Sequence, residues 1–509
     1  MTLAIIYTRA TCGISAPLVT VEVHTARGLP KVNIVGLPAA VVKESKDRVR
    51  SAILNTQFEF PRGRLTINLA PADLPKEGGY FDLPIALGIL AATKQIPAHH
   101  IAEYEFVGEL ALSGELRSIR AVLAVVLGAK TTKRTLIVPK ANKLEAGLID
   151  SQKVFAANHL LEVCAFLKGQ QTLELCFDHN KPPNLSPFSL DLNEVKGQFQ
   201  AKRALEIAAA GKHSMLFIGP PGTGKTMLAS RLTGILPDLN DEQAIETAAI
   251  TSISNKGFDA MQWRNIPFRS PHHSASPIAL VGGGRPPRPG EISLSHHGVL
   301  FLDELPEFNR HALECLREPL ESGCITISRA TYQVTFPALF QLIAAMNPCP
   351  CGFAGSHQIA CICTQEQVQR YWSKLSGPLL DRIDMQIEMP SLNPQILSKI
   401  VDNPEPSQIV KKRVIKTRQF QLQRQQKCNQ DLSTIELQKM AELSQDANEL
   451  LHQSMEKFNF SARTYHRIIK VARTIADLVE SHPIEVNHVQ EALMYRKLDR
   501  SIFVQKKSR

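Results

Sequence analysis

The sequence predicts a multidomain α/β protein, and three observations lead to this expectation. The chain has 509 residues, more than one ordinary hydrophobic core accommodates, so about two to four domains are expected. A glycine-rich loop lies between an apolar strand pattern and a helix pattern at residues 214–232, an order typical of a parallel α/β domain. After Pro390 the pattern becomes helical and charged towards the C-terminus.

Changes in pattern divide the chain into four segments. Residues 1–167 alternate strand patterns such as "RLTINLAPADL" with helix patterns such as "FDLPIALGILAAT", which predicts an α+β domain. Residues 168–192 are polar and proline-rich without periodicity, so we expect a linker there. Residues 193–389 contain the glycine-rich loop and further apolar strands, and residues 390–509 are expected to form a helical lid with a basic tail.

The bulk composition narrows the functional class. The net charge of +10 favours a polyanionic partner, with nucleic acid ahead of an anionic membrane. No run of about 18 apolar residues occurs, so a membrane span is not expected. The N-terminal "MTLAIIYTRATCGISA" lacks a basic region before its apolar run and is interpreted as a first strand rather than a signal peptide. We therefore expect the ten cysteines to be reduced, in the cytoplasm.

The segment "SMLFIGPPGTGKTMLASRL" predicts a loop that binds the phosphates of ATP or GTP. Its glycines let backbone N–H groups approach phosphate without Cβ clashes, Lys225 supplies positive charge, and the Thr226 hydroxyl is placed to bind Mg²⁺. The residues predicted to bind the nucleotide are Gly219, Pro220, Pro221, Gly222, Thr223, Gly224, Lys225 and Thr226.

Two strand ends are predicted to complete the nucleotide site. In "HHGVLFLDELPEF" a buried strand would deliver Asp303 to Mg²⁺ and Glu304 to the attacking water. The alternative is an ordinary strand that ends in an acidic turn. The next apolar strand, "FQLIAAMN", ends at Asn347, whose side chain can reach the γ-phosphate or the water.

Two arginines are candidates for neutralising charge in the transition state of phosphoryl transfer. Arg382 lies between two aspartates in "LLDRID", and Arg463 opens a helix pattern in "SARTYHRIIKVARTIADL". From spacing alone, a surface or salt-bridge role explains each of them as well.

These segments, together with "FRSPHHSAS", "GGGRPPRPGEISLSHHGVLFLDELPEF" and "NPCPCG", resemble an AAA+ ATPase of the magnesium-chelatase-like branch. The resemblance implies a Walker A motif at 219–226, a Walker B motif at 299–304 and a sensor-1 residue at Asn347. It further implies a sensor-2 residue at Arg463 and an arginine finger at Arg382 that acts on a neighbouring subunit. A finger that acts in this way implies a ring, taken to be a hexamer.

The N-terminal segment resembles the fold of the Lon protease domain, through "INLAPADLPKEGGYFDLPIALGIL" and "VGELALSGELRSIRAVLAVVLGAK". The peptidase of that fold needs a serine hydroxyl and a lysine amine within hydrogen-bonding reach of each other. Tyr80 stands where the serine is expected and Leu123 stands where the lysine is expected. Peptidase activity is therefore excluded, and a scaffold role is expected.

The combination of both domains with a Cys-x-Cys…Cys-x-Cys segment resembles the ComM/YifB family. The resemblance implies an ATP-dependent hexameric DNA helicase that drives branch migration during homologous recombination of incoming DNA in natural transformation. Single-stranded and branched DNA, with recombination proteins, are the partners implied. The alternative is a chelatase-like motor that remodels a protein partner.

A hairpin is predicted within "SGCITISRATYQVTFPA" and is the first candidate for contact with DNA. Its connector begins with Arg329, which is placed to follow phosphates in a ring channel, although a salt bridge at the hairpin edge is an equal alternative. Arg285 and Arg288 in the loop "VGGGRPPRPGE" are second candidates. The basic helix pattern at 411–427 is interpreted as either a DNA contact or a solvated face.

Four closely spaced cysteines predict a structural zinc site. Cys349 with Cys351 and Cys361 with Cys363 would supply four thiolates and leave no open coordination position, with unmetallated thiols as the alternative. Four histidines in paired positions also suggest a metal, but a structural or substrate-loop role is preferred for them: His272, His273, His296 and His297.

Overall fold

The computed structural model shows a mixed α/β protein with two main sheets and a group of C-terminal helices. The residues that it describes are 2–149, 153–177, 190–254, 257–259, 262–284, 287–329, 332–355, 359–391 and 405–496. Among them no helix is both long enough and apolar enough to cross a membrane.

An eight-stranded sheet organises the N-terminal part. Its elements are the strands β1 (Thr2–Arg9), β2 (Leu18–Ala26), β3 (Lys31–Val35), β4 (Arg64–Ala70), β5 (Tyr104–Phe106), β8 (Thr135–Pro139), β9 (Val154–Ala157) and β10 (Glu174–Leu175), beside a small β6–β7 pair (Glu109–Leu110, Leu116–Arg117). The helices are α1 (Ala40–Asn55), α2 (Asp82–Ala92), α3 (Val122–Ala129), α4 (Lys143–Ala146) and α5 (Leu160–Leu167). The strand order is β10-β9-β8-β5-β1-β2-β4-β3 within the described residues.

Burial in this sheet follows the alternation of the sequence. In β2 and β4 every second residue is buried, which directs one face of the sheet towards the core. Helix α2 packs on β1 and β2 and is buried along its whole length, which fits its nearly continuous apolar sequence. Its one buried charge, Asp82, accepts a hydrogen bond from Arg48 Nε at 2.8 Å.

A five-stranded parallel sheet forms the central part. Its strands are β11 (Met215–Ile218), β12 (Phe268–Arg269), β15 (Val299–Leu302), β18 (Gln341–Met346) and β19 (Met385–Glu388), in the order β12-β15-β18-β11-β19. Short antiparallel pairs flank it: β13 (Gly282–Gly283) with β14 (Arg288–Pro289), and β16 (Cys324–Arg329) with β17 (Tyr332–Pro337). The helices are α6 (Phe199–Gly211), α7 (Lys225–Ile235), α8 (Asp241–Ile253), α9 (Pro277–Val281), α10 (Glu291–Leu294), α11 (Arg310–Glu314), α12 (Pro319–Ser322), α13 (Gln365–Trp372) and α14 (Gly377–Leu380).

The order of this sheet determines where the functional side chains meet. Strands β11, β15 and β18 are wholly buried, as expected of central parallel strands covered on both faces. Because they are parallel neighbours, their carboxyl ends lie at one edge of the sheet. The glycine-rich loop, Asp303 and Asn347 therefore leave the sheet side by side.

The C-terminal helices pack against the central domain. They are α15 (Ser407–Gln425), α16 (Thr434–Met440), α17 (Gln445–Phe458), α18 (Ala462–Leu478) and α19 (Val486–Met494). Helix α15 packs on α6 and α7, and α18 packs on α6, so one apolar core joins these helices to the sheet. At the domain entry, the Ser407 hydroxyl accepts a hydrogen bond from the backbone N–H of Leu192 at 2.7 Å.

The N-terminal sheet extends into the segment predicted to be a linker. Strand β10 pairs with β9, and the backbone N–H of Cys176 donates to the carbonyl of Val154 at 2.8 Å. A two-residue strand has no periodicity for the sequence pattern to show, which explains the difference. Residues 178–189 of that segment lie outside the described residues.

Apolar packing joins the N-terminal part to the central part. Helix α3 shares an apolar cluster with α8 and Trp263. Gly13 lies so close to the β16–β17 hairpin that a Cβ there would be 2.5 Å from Val334 Cγ1. The predicted hairpin is thus present and packs on the N-terminal part, while its connecting residues 330–331 lie outside the described range.

Candidate functional site

The glycine-rich loop between β11 and α7 has an open concave backbone. Gly222 and Gly224 have φ of 80° and 86°, in the left-handed region that favours glycine, and a Cβ at either would meet no described atom within 4 Å. Thr223 closes the turn by donating its hydroxyl to the carbonyl of Pro220 at 2.9 Å. The loop and the start of α7 therefore fit a phosphate group.

Lys225, the first residue of α7, is buried with its amine against this loop. Its Nζ donates to the carbonyls of Gly219 and Pro220 at 2.7 and 2.9 Å, and to Asn347 Oδ1 at 3.1 Å. Burial lowers the pKa of the amine, against a smaller opposing effect of Asp303 and Glu304. Its hydrogen-bond partners among the described residues are all neutral, so the anionic oxygens of a phosphate would bind the amine more strongly.

The two acidic residues after β15 have different partners. Asp303 Oδ2 accepts the Thr226 hydroxyl at 2.6 Å, which joins the two predicted Mg²⁺ ligands. Glu304 adopts φ of 54°, and its carboxylate lies 3.2 Å from His273 Nδ1. The oxygens of Asp303 and Thr226 are ligands of the type that Mg²⁺ prefers.

A cavity of about 750 Å³ adjoins the loop at Gly219 and Pro220. Phe199, Pro220, Met389 and Tyr495 are among the residues that line it. Its volume and mostly apolar lining fit a purine base whose phosphates extend to the loop.

Arg382 lies at the opposite edge of the sheet from Lys225. It precedes β19, which runs parallel to β11, and its carbonyl accepts the hydroxyl of Ser214, the residue before β11. Its guanidinium is buried, with Nη1 donating to the Pro378 carbonyl at 2.7 Å and Nη2 lying 2.5 Å from Glu321 Oε1. The geometry therefore separates Arg382 from the phosphate loop of its own chain.

Arg463 lies beside Arg382 rather than beside Lys225. It is 61% exposed, and its Nη2 is 3.9 Å from the same oxygen of Glu321. The two arginines that the sequence suggested for transition-state charge thus meet at one glutamate.

The residues suggested for DNA contact are only partly described. Arg285 lies outside the described residues, and only the backbone of Arg329, at the end of β16, is described. Arg288 is half-buried and lines a cavity of about 550 Å³ together with Tyr80 and Arg120 of the N-terminal part.

The four cysteines of the predicted zinc site come together. Cys349 Sγ lies 3.3 Å from Cys351 Sγ and 3.6 Å from Cys361 Sγ, and the ligand atoms of all four lie within 4.8 Å of one another. A tetrahedral Zn²⁺ with Zn–S bonds of about 2.3 Å requires sulfur separations of about 3.8 Å, so the cluster fits that ion. Hydrogen bonds, above all from the backbone N–H of Phe353, lower the pKa of the Cys351 thiol to about 6. Burial and the neighbouring thiols raise the pKa of Cys361 and Cys363, so the protons of the group are unequally held.

A second cluster of metal-type side chains is a hydrogen-bonded group. Glu246 Oε2 lies 3.2 Å from His296 Nε2 and 2.7 Å from His297 Nε2. His296 Nδ1 accepts the backbone N–H of Leu339 at 3.0 Å, so in the neutral ring Nε2 carries the proton and donates it to Glu246. The protonated Nε2 of His296 has no lone pair to offer a metal. The hydrogen bonds of Glu246 with the two histidines instead join α8 to the start of β15.

Sequence reasoning did not identify His273 and Glu246 as partners of the site. Each makes its contact across about 30 to 50 residues of chain, and nothing in the local pattern indicates the pairing. The doubled histidines were the one available signal.

Comparisons with known proteins cover nearly the whole chain. The family models described as "Magnesium chelatase, subunit ChlI", "Subunit ChlI of Mg-chelatase" and "Magnesium chelatase, subunit ChlI C-terminal" match residues 191–397, 21–142 and 404–496. Competence protein ComM of Haemophilus influenzae and YifB of Escherichia coli are each 52% identical over 98% of this chain and 98% of their own length. The magnesium-chelatase 38 kDa subunit of Cereibacter sphaeroides is 24% identical over 32% of this chain and 52% of its own length.

Proposed function

The chain belongs to the ComM/YifB family, and from this membership we propose that it is an ATP-driven motor that translocates along DNA. Its role would be to promote branch migration when incoming DNA is recombined during natural transformation. The similarity to competence protein ComM of Haemophilus influenzae supports a role in competence. The net charge of +10 supports a polyanionic track.

The single observation that carries the ATPase proposal is the convergence of Lys225, Thr226, Asp303 and Asn347. Hydrogen bonds of 2.6 and 3.1 Å join side chains from three different strand ends into one site. Lys225 would bind the β- and γ-phosphates, Thr226 and Asp303 would hold Mg²⁺, and Asn347 would orient the terminal phosphate. The bound Mg²⁺ would neutralise phosphate charge.

Glu304 is proposed to orient and deprotonate the attacking water. It is 53% exposed and directly follows Asp303, so its carboxylate is free to leave His273 and turn towards the terminal phosphate. Arg382 and Arg463 are proposed to act on the site of a neighbouring subunit in a hexameric ring, because the sheet separates them from their own Lys225.

The N-terminal part is proposed to be a Lon-like scaffold without peptidase activity. The Tyr80 hydroxyl, at the position of the expected nucleophile, lies 2.6 Å from Thr11 Oγ1, and burial raises its pKa to about 12. Leu123, at the position of the expected lysine, is fully buried in the apolar cluster shared with α8. Neither residue supplies a nucleophile or a base.

Contact with DNA is proposed for the β16–β17 hairpin and the β13–β14 loop. Arg329, Arg285 and Arg288 are the basic residues assigned to it, and contact with phosphates would make binding independent of base sequence. Affinity for branched DNA is then expected to fall by about 10- to 1000-fold between 50 and 200 mM salt.

An ATPase and strand-displacement assay tests the proposed function. We expect single-stranded DNA to stimulate ATP hydrolysis by the wild type, and branched DNA to be unwound only with ATP. Lys225→Ala should abolish both activities, whereas Lys140→Ala, which changes an exposed lysine paired with Glu174 in the N-terminal part, should retain both. ATP hydrolysis without DNA stimulation and without unwinding would favour a second function.

That second function is a chelatase-like motor that remodels a protein partner. The three ChlI models and the match to the magnesium-chelatase 38 kDa subunit favour it. The two functions share the nucleotide site. They differ in the macromolecule that the motor acts on, and therefore in whether DNA or a protein stimulates ATP hydrolysis.

The four-cysteine cluster is proposed to hold a structural Zn²⁺. Sulfur separations of 3.3–3.6 Å support this, together with backbone N–H groups of Cys351 and Ala354 that donate to Cys363 and Cys349. Metal analysis of the purified protein should find one zinc per chain. The double substitution of Cys349 and Cys361 by serine should remove it, and zinc retained by that variant would refute the site.

A further inference from the structure

The loop that carries the four cysteines lies directly against the phosphate loop. It leaves β18 immediately after Asn347, whose side chain contacts Lys225. The carbonyl of the next residue, Pro348, accepts a hydrogen bond from Trp372 Nε1 of α13 at 3.0 Å. Cys349 follows and is fully buried.

Gly352 packs against the phosphate loop. It lies between two cysteines of the cluster, with φ of 88°. A Cβ on this residue would be 2.7 Å from Pro221 Cδ and 3.9 Å from Asn347 Cγ. The cysteine loop therefore packs on the phosphate loop at a distance that leaves no space for a methyl group.

We propose that the four-cysteine loop is a positioning element of the nucleotide site. A zinc ion on Cys349, Cys351, Cys361 and Cys363 fixes the loop, and the loop holds Gly352 against Pro221. This contact sets the separation between the phosphate loop and β18, and so keeps Asn347 within reach of Lys225 and of the terminal phosphate. The metal acts on hydrolysis through geometry and touches no reacting atom.

This inference rests on the proposed ATPase function and extends it. If the contact sets catalytic geometry, its loss should reduce kcat much more than nucleotide affinity. A displacement of about 1 Å in a site of this kind costs about 10- to 100-fold in rate.

The substitution Gly352→Ala tests the contact without touching a zinc ligand. We expect it to retain one zinc per chain, to bind a fluorescent ATP analogue within about three-fold of wild type, and to lower kcat about 10- to 100-fold. Gly169→Ala is the matched control, because Gly169 has φ of 70° and a Cβ there meets no described atom within 4 Å. The control shares the backbone strain of the left-handed region and should keep the wild-type kcat.

A second arm removes the metal. Cys361→Ser, which alters an exposed ligand, should lose zinc and lower kcat by a similar factor while thermal unfolding still shows a folded protein. Gly352→Ala hydrolysing ATP as fast as Gly169→Ala would overturn the inference, and so would full kcat in a zinc-free Cys361→Ser. A wild type that does not hydrolyse ATP would instead overturn the proposed function.

Discussion

Asn347 and Lys225 are 122 residues apart, and their hydrogen bond is the residue-scale outcome of a parallel sheet. Each follows a buried and mostly apolar strand of four or six residues, and the two strands are neighbours. This pairing was predictable, because strand ends with polar residues meet at one edge. The partners of Glu304 and His296 were not predictable, since they lie on loops whose paths depend on tertiary packing.

Glu304→Gln provides the residue-scale prediction. The amide keeps the shape of the side chain but accepts no proton from water, so we expect kcat for ATP to fall about 100- to 10,000-fold while ATP binding is retained. Steady-state hydrolysis and nucleotide titration measure the two effects separately. Glu307→Gln is the control, because Glu307 is exposed and pairs with the nearby Lys374. This variant should hydrolyse ATP at the wild-type rate. Equal losses in both variants would contradict the assignment.

At the scale of elements, the sequence predicted the central strands more reliably than their connections. Strands β11, β15 and β18 are continuous apolar runs, and the β16–β17 hairpin has β-prone runs on both sides of a short connector. Strand β10 was missed because two residues carry no pattern. The contact of Gly352 with Pro221 was also beyond prediction, since it depends on how two loops pack.

The histidine pair before β15 gives an element-scale prediction about pH. Burial and the adjacent His297 lower the pKa of His296 to about 4, against the opposing effect of Glu246. In the unfolded chain the ring titrates near pH 6.5, so below that pH the unfolded state binds a proton that the folded state does not. The contribution of the neutral His296 to the free energy of unfolding is therefore complete above about pH 6.5. It is lost as the pH falls towards about 4, by up to about 1.4 kcal/mol per pH unit.

His296→Asn tests this dependence. Asparagine can still accept the backbone N–H of Leu339 but does not titrate, so the denaturant midpoint should fall less steeply between pH 7 and pH 5 than in the wild type. His100→Asn is the control, because His100 is 59% exposed and pairs with the nearby Glu103. An unchanged slope in His296→Asn would show that other groups control the acid sensitivity.

At the scale of the molecule, the N-terminal and central parts are joined through α3, α8 and the loop that contains Gly13. The sequence indicated both parts from their motifs, but no local pattern indicates which surfaces of two domains meet. The contact with the β16–β17 hairpin connects the N-terminal part to the element proposed to touch DNA. A movement of that hairpin during hydrolysis would therefore displace the residues of the N-terminal part that pack on it.

The position of Arg382 makes a prediction about assembly. Arg382 lies where β11 begins and the phosphate loop lies where β11 ends, so one chain cannot bring the two together. Arg382→Ala and Lys225→Ala should each abolish hydrolysis when purified alone. Co-expressed in equal amounts with different affinity tags, they should recover activity, because about a quarter of the interfaces in a head-to-tail ring would pair an intact Lys225 with a neighbour's intact Arg382.

Rings that combine Lys225→Ala with Glu304→Gln are the control, since both residues belong to the site of one chain and no interface is complete. Recovery in the control, or none with Arg382→Ala, would rule out action between subunits.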